Sequence, residues 1–282
     1  VVMNTYTNLF SPVAVGKTTV KNRLFMPPIS TNLADKGYVT DELIKHYEAR
    51  AKGGVGLIVT EVTTVEPTYI YLPGDMSIHD DSFIPGWKKL TDAVHQYGAK
   101  ILPQLFHPAY MAFPIPGTPR LIAPSNVGPS YAKEAPRPVT IEELHMIIKQ
   151  FGEAAFRVKQ AGGDGVEIHA AHAHGLLGGF LTPLYNKRCD EYGGDINGRL
   201  KLTLEVIVIS FLIQIFSNLL SRVLYPGWSE ESKKVLQYAT IVSNAGILGN
   251  AIAEGIFGDL GIMYAAVYTI PTRIFMWSVG LT

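Results

Sequence analysis

Short apolar runs alternate with helical patterns along the first two-thirds of the chain. Arg23–Pro28, Val55–Val62, Ala99–Phe106 and Gly165–Ala170 are nearly continuous in hydrophobicity, as strands covered on both faces are. Between them lie segments of helical period with recognisable ends. Thr40 precedes DELIKHYEARAKG, whose Leu43, Ile44 and Tyr47 share one side and whose Gly53 is a stop; Phe83–Tyr97 ends at Gly98. Thr140 and Glu143 have capping-box spacing ahead of Ile141, Leu144, Ile148 and Phe151, a helix ending near Gly162. Strand–helix repetition of this kind predicts βαβ units and a parallel sheet, either open or closed into a barrel.

The pattern changes near residue 207. Only eight of the 48 Asp, Glu, Lys and Arg residues fall after it, and all eight histidines lie at or before His174. Val206–Ser221 and Val235–Ala253 carry no charge, and the stretch from Leu260 to the end carries only Arg273 after Pro271. Read by hydropathy, these runs predict transmembrane helices, with the small-residue series Asn244–Gly249 as a packing face. The expected domains are therefore an α/β part, 1–207, and a hydrophobic all-α part, 208–282, that anchors an otherwise cytoplasmic protein in a membrane through residues 206–282.

Lys+Arg and Asp+Glu balance at 24 each, which removes nucleic acid from the expected partners. The single cysteine, Cys189, excludes an internal disulfide framework and a cysteine-held cluster. No cationic segment followed by an apolar one opens the sequence, so no signal peptide is expected. His107–Pro138 carries eight prolines after the third predicted strand, where α/β proteins place ligand-binding loops, and is expected to act as a lid.

Candidate chemistry concentrates in Glu167–Gly175, EIHAAHAHG. Glu167 and His169 share a strand face, and His172 and His174 follow as the strand runs out. Three readings compete. The histidines fill a core; or they hold zinc or iron with help from Glu61, Gln104 or His107, as in a metal-dependent hydrolase; or a neutral pair donates to a substrate oxygen that gains negative charge.

RLFMPPIST, the TEV at 60–62, ILPQLFHPA, GVEIHAAH and above all FLTPLYNKRCDEYGGDINGRLKLTLEVI resemble the old yellow enzyme family of FMN-dependent reductases, in its NADH:flavin oxidoreductase and 2-enoate reductase branch. The resemblance covers about Leu9 to Ile207. It implies the first four βα units of an incomplete (β/α)8 TIM barrel, with FMN over the C-terminal ends of the strands. It implies that Pro28, Ile29 and Ser30 lie along the flavin, that Val62 packs near it, and that Gln104 bonds its pyrimidine edge. It makes His169 and His172 the pair that holds the carbonyl oxygen of an α,β-unsaturated substrate, His169 also lying beside the cofactor. NAD(P)H would be the electron donor. The family's tyrosine two residues beyond the second histidine is absent, since that slot is His174 or Gly175; His174 is the expected proton donor in its place. The family's fifth-strand arginine and its later glycine-rich phosphate loops do not follow Ile207, so the two open sheet edges are expected to invite a homo-oligomer. Val235–Gly280 in turn resembles the auxin efflux carrier and malate permease family, which implies a chimera of a reductase part and a transporter part.

Overall fold

The computed structural model describes residues 6–224 apart from 16–17, 114–116, 118 and 130–133. After an antiparallel hairpin, Val13–Val15 with Thr18–Val20, four parallel strands form the centre: β1 Phe25–Met26, β2 Leu57–Thr64, β3 Lys100–Phe106 and β4 Glu167–Ile168. They are hydrogen-bonded in sequence order, and Met76–Ser77 pairs with the far end of β2. Sequential parallel order with a helix between neighbours is the start of a barrel, as expected, and among the described residues the outer edges of β1 and β4 are unpaired. The two long strands lie in the middle, where both faces are covered; seven of the eight β2 residues are buried.

The helices begin where the sequence predicts because their caps are local. Thr40 accepts the Leu43 N–H at the start of α1, Asp41–Lys52, and Leu43, Tyr47 and Ala51 face the sheet one turn apart. In α2, Ile84–His95, the buried ridge is built on Trp87, Leu90 and Val94. Both halves of the Thr140–Glu143 capping box form at α3, Ile141–Gln160. Its buried ridge runs through Leu144, Ile147 and Phe151; Ile141 and Ile148, placed on that stripe by periodicity, are only partly buried. A seven-residue helix, α4, Gly175–Leu181, follows β4, and α5 spans Ile196–Leu224.

The described residues of the proline-rich segment, expected to act as a lid, are tied to the body of the fold. Ile122–Ala123 pairs with Arg137–Pro138, and the segment is held down from the other side by the block that follows α4. Arg188 donates to the Pro124 and Val139 carbonyls, the Lys187 N–H donates to Ser125 Oγ, and Asn186 Nδ2 donates to the Phe180 and Tyr192 carbonyls. The motif-rich stretch from Phe180 to Arg199 is thus a clasp whose side chains satisfy backbone groups.

The membrane expectation is overturned for the part of the chain that is described. Among the described residues no helix is long and apolar enough to cross a membrane. The first uncharged run, Val206–Ser221, continues a helix that carries Arg199, Lys201 and Glu205, and at ~1.5 Å per residue it is shorter than the roughly 30 Å hydrocarbon layer. The helix buries Leu202, Val206 and Ser210, while Ile207, Val208, Phe211 and Leu212 of the run are exposed. The chain forms two compact units, Val1–Gln214 and Ile215–Thr282, and of the second only 215–224 are described. The other apolar runs, Val235–Ala253 and 260–282, and the carrier-like Val235–Gly280 lie outside the described residues, and nothing else supports a carrier fragment.

Candidate functional site

A cavity of about 470 Å³ opens at the C-terminal ends of the strands, lined by residues that include Pro28, Ser30, Val62, Tyr71, Gln104, Glu167, His169, His172 and His174. Its floor is a row across three strands: Val62 is in register with Gln104, and Gln104 with Glu167. Reaching that register takes a bulge. Val59 pairs with Leu102 and Val62 with Gln104, so Thr60 and Glu61 together oppose Pro103, whose ring nitrogen has no hydrogen to give the ladder. Without the bulge Glu61 would stand beside Gln104. With it, Glu61 is wholly buried and its Oε2 accepts the Thr31 N–H at 2.5 Å, tying the segment after β1 to β2. Glu61 therefore does not line the cavity, and neither does His107.

Gln104 donates from Nε2 to Glu167 Oε1 at 2.6 Å, which fixes the amide's orientation and leaves its oxygen and second hydrogen for a ligand. His169 is buried, and its Nδ1 has no partner. Burial lowers its pKa to about 4, with the nearby His174 and His172 adding to the effect; burial also lowers His174. Both rings are neutral at neutral pH. The His169 and His172 rings stand 5.1 Å apart and nearly perpendicular. His174 lies 5.7 Å from each, stacked on Phe106.

The turn that presents these rings is strained. His172 and Ala173 have φ of 41° and 56°, in the left-handed region that L residues avoid. The Tyr110 hydroxyl holds it by donating to the Ala173 carbonyl at 2.6 Å, and the His174 N–H closes it on Ala171. Gly175 follows at φ +63°, where an added Cβ would lie 2.3 Å from Phe106 Cε2. No larger side chain fits there.

Pro28, Ser30, Val62, Gln104 and all three histidines thus meet at one cavity, whereas Ile29 is largely exposed and is not among the lining residues. The metal reading loses its footing, because no group of three His, Cys, Asp or Glu among the described residues is placed to hold a metal ion. Tyr71 was not foreseen. It enters from the irregular segment after β2, and only its position beyond a strand's C-terminal end could have marked it.

Residues 8–209 match the model of the NADH:flavin oxidoreductase / NADH oxidase family. The chain belongs to that family. An NADH oxidase of Thermoanaerobacter brockii is 41% identical over 208 residues, covering 73% of this chain and 32% of that protein. An NADPH dehydrogenase of Listeria monocytogenes is 36% identical over 201 residues, covering 71% of this chain and 58% of that one. A structure of morphinone reductase in complex with tetrahydroNAD is 30% identical with a TM-score of 0.69, covering 73% of this chain and 61% of that one. The chain spans between about a third and three-fifths of the length of the relatives it matches. Members of the family use FMN and NAD(P)H. The lining residues fit the ring end of FMN: an oriented amide, a proline and a valine for an apolar face, and an orphaned imidazole nitrogen. They do not fit its phosphate, since no Lys or Arg is among the described residues that line the cavity.

Proposed function

We propose that residues 1–207 form the N-terminal part of an FMN-dependent oxidoreductase that reduces the C=C bond of α,β-unsaturated carbonyl compounds, with NAD(P)H as electron source. The carrying observation is a single cavity in which the Val62–Gln104–Glu167 row faces the His169 and His172 imidazoles. When bound, FMN supplies the hydride chemistry between nicotinamide and substrate. The Gln104 amide offers both an acceptor and a donor to the ring's pyrimidine edge. Pro28, Ser30 and Val62 pack along the ring.

His169 and His172 hold the substrate's carbonyl oxygen by their N–H groups. As hydride reaches the β-carbon, negative charge moves onto that oxygen, and donors already aimed at it stabilise the charge by about 3–4 kcal/mol each in a water-poor site. Because burial keeps His169 neutral, its task is to polarise and not to protonate. The unpaired edges of β1 and β4 are where a second copy would add strands.

Titrating the chain with flavin and following flavin fluorescence tests this reading. FMN and riboflavin should bind within about threefold of each other, because the ring and not the phosphate is gripped. Gln104→Leu should weaken both by about tenfold, the worth of one neutral hydrogen bond in a buried site. No binding of either flavin, or equal binding by Gln104→Leu, would remove the proposal.

A further inference from the structure

Adding hydride to one carbon of a C=C bond obliges a proton to reach the other. The acid must line the same cavity, carry a proton at neutral pH and be acidic enough to give it to carbon. Few lining groups qualify. Gln104 and Ser30 are too weakly acidic, and Glu167 is engaged as acceptor for the Gln104 amide. Burial holds His169 and His174 in their neutral forms, which leaves each ring with an N–H that is a hydrogen-bond donor and a poor acid. A phenol is ordinarily protonated at neutral pH and far more acidic than a neutral imidazole or an alcohol.

Resting on the oxidoreductase reading, we propose that Tyr71 is the residue that protonates the α-carbon of the substrate. Its ring stands edge-on to His174 at 5.1 Å and 87°, and to Phe106 at 5.4 Å and 79°, so two aromatic neighbours fix it at the cavity wall. Tyr71 meets His174, which in turn meets both His169 and His172, and all four line the one cavity. The slot after His174 cannot supply a competing phenol, because any Cβ at Gly175 collides with Phe106 and with the His107 carbonyl.

The step balances. FMN, when bound, would supply the hydride for the β-carbon, with NAD(P)H as the source of its electrons. The π electrons pass toward the α-carbon and the oxygen held by the histidines. The Tyr71 O–H bond breaks, its proton forms the new C–H bond, and the resulting phenolate regains a proton from water, which the half-exposed position of Tyr71 admits.

The test loads wild type, Tyr71→Phe and His174→Phe with FMN and reduces them without oxygen. Reoxidation is then followed with 2-cyclohexen-1-one, which needs a proton on carbon, and with p-benzoquinone, which takes its protons on oxygen. Tyr71→Phe should slow the enone by about 10²-fold or more, the usual worth of a general acid, while quinone reduction stays within about threefold. Binding of cyclohexanone to the flavin-free proteins, read by saturation-transfer NMR, should be the same for wild type and Tyr71→Phe. Equal enone rates in wild type and Tyr71→Phe, or an enone loss confined to His174→Phe, would overturn the assignment while leaving the oxidoreductase reading intact. A matching loss of cyclohexanone affinity would make Tyr71 a binding residue instead. A wild type that reduces neither acceptor would remove both readings.

Discussion

Gly175→Ala is the sharpest probe of how the histidine turn is built. At φ +63° an alanine pays the left-handed penalty, about 1–2 kcal/mol. Its Cβ would also lie 2.3 Å from Phe106 Cε2 and 2.7 Å from the His107 carbonyl oxygen. That oxygen cannot retreat freely, because it accepts the Leu176 N–H at 2.9 Å. Phe106 is fully buried, so forcing it aside costs about 1–3 kcal/mol in overpacking. The sum, about 2–5 kcal/mol, would lower the folded-to-unfolded ratio by more than tenfold. Urea denaturation followed by the fluorescence of the buried Trp87 would read the change as a lower midpoint. Gly194→Ala is the control: φ there is +72° with nothing within 4 Å, so only the conformational penalty should apply. Because Phe106 stacks on His174 and meets the edge of His169, Gly175→Ala should also weaken flavin binding, while Gly194→Ala should not. Two alanine variants of equal stability would refute the claim that contact with Phe106 reserves this position for glycine.

Arg188→Met should cost about 2–4 kcal/mol, since it strands the Pro124 and Val139 carbonyls and breaks the ion pair with a partly exposed Asp190; limited proteolysis should then cut within 107–138 sooner than in wild type. Asp75 is raised to about 7, by burial first and by the Glu61 charge second. The folded chain therefore keeps a proton that the unfolded chain releases near pH 4, so stability falls as pH rises from there through 7. Asp75→Asn should flatten the urea midpoint over that window; an unchanged slope would count against it. Burial has the opposite sign for His169: held down to about 4, it stays neutral while the unfolded ring takes a proton near 6.5. Stability should thus drop as pH falls from 6.5 toward 4, and His169→Phe should remove part of that drop from the denaturation midpoints.

Elements written in short-range chemistry were legible in the sequence. The Thr40 cap, the Thr140–Glu143 box and the alternation of buried strands with amphipathic helices each depend on residues a few positions apart, and each formed as expected. The family resemblance was legible for a related reason. Asn186 and Arg188 are specific because the side chain of each has buried backbone carbonyls to satisfy, and substitution leaves those partners bare. Hydropathy misled at Val206–Ser221, because an apolar run records what a segment can bury against and not what it meets. Here Val206 and Ser210 are buried in a helix that also carries Arg199, Lys201 and Glu205.

By itself, then, the sequence determined the βα order, the helix ends and the histidines at the end of the fourth strand, all set by spacing along one chain. Tertiary structure alone decided that Val62 and not Glu61 stands beside Gln104, that Arg188 clasps the proline-rich segment, and that Tyr71 joins the histidines. Each of these depends on residues dozens of positions apart meeting in space. A one-residue bulge, a pair of carbonyl acceptors or a ring edge sets the outcome there, and none of them leaves a periodic trace in the chain.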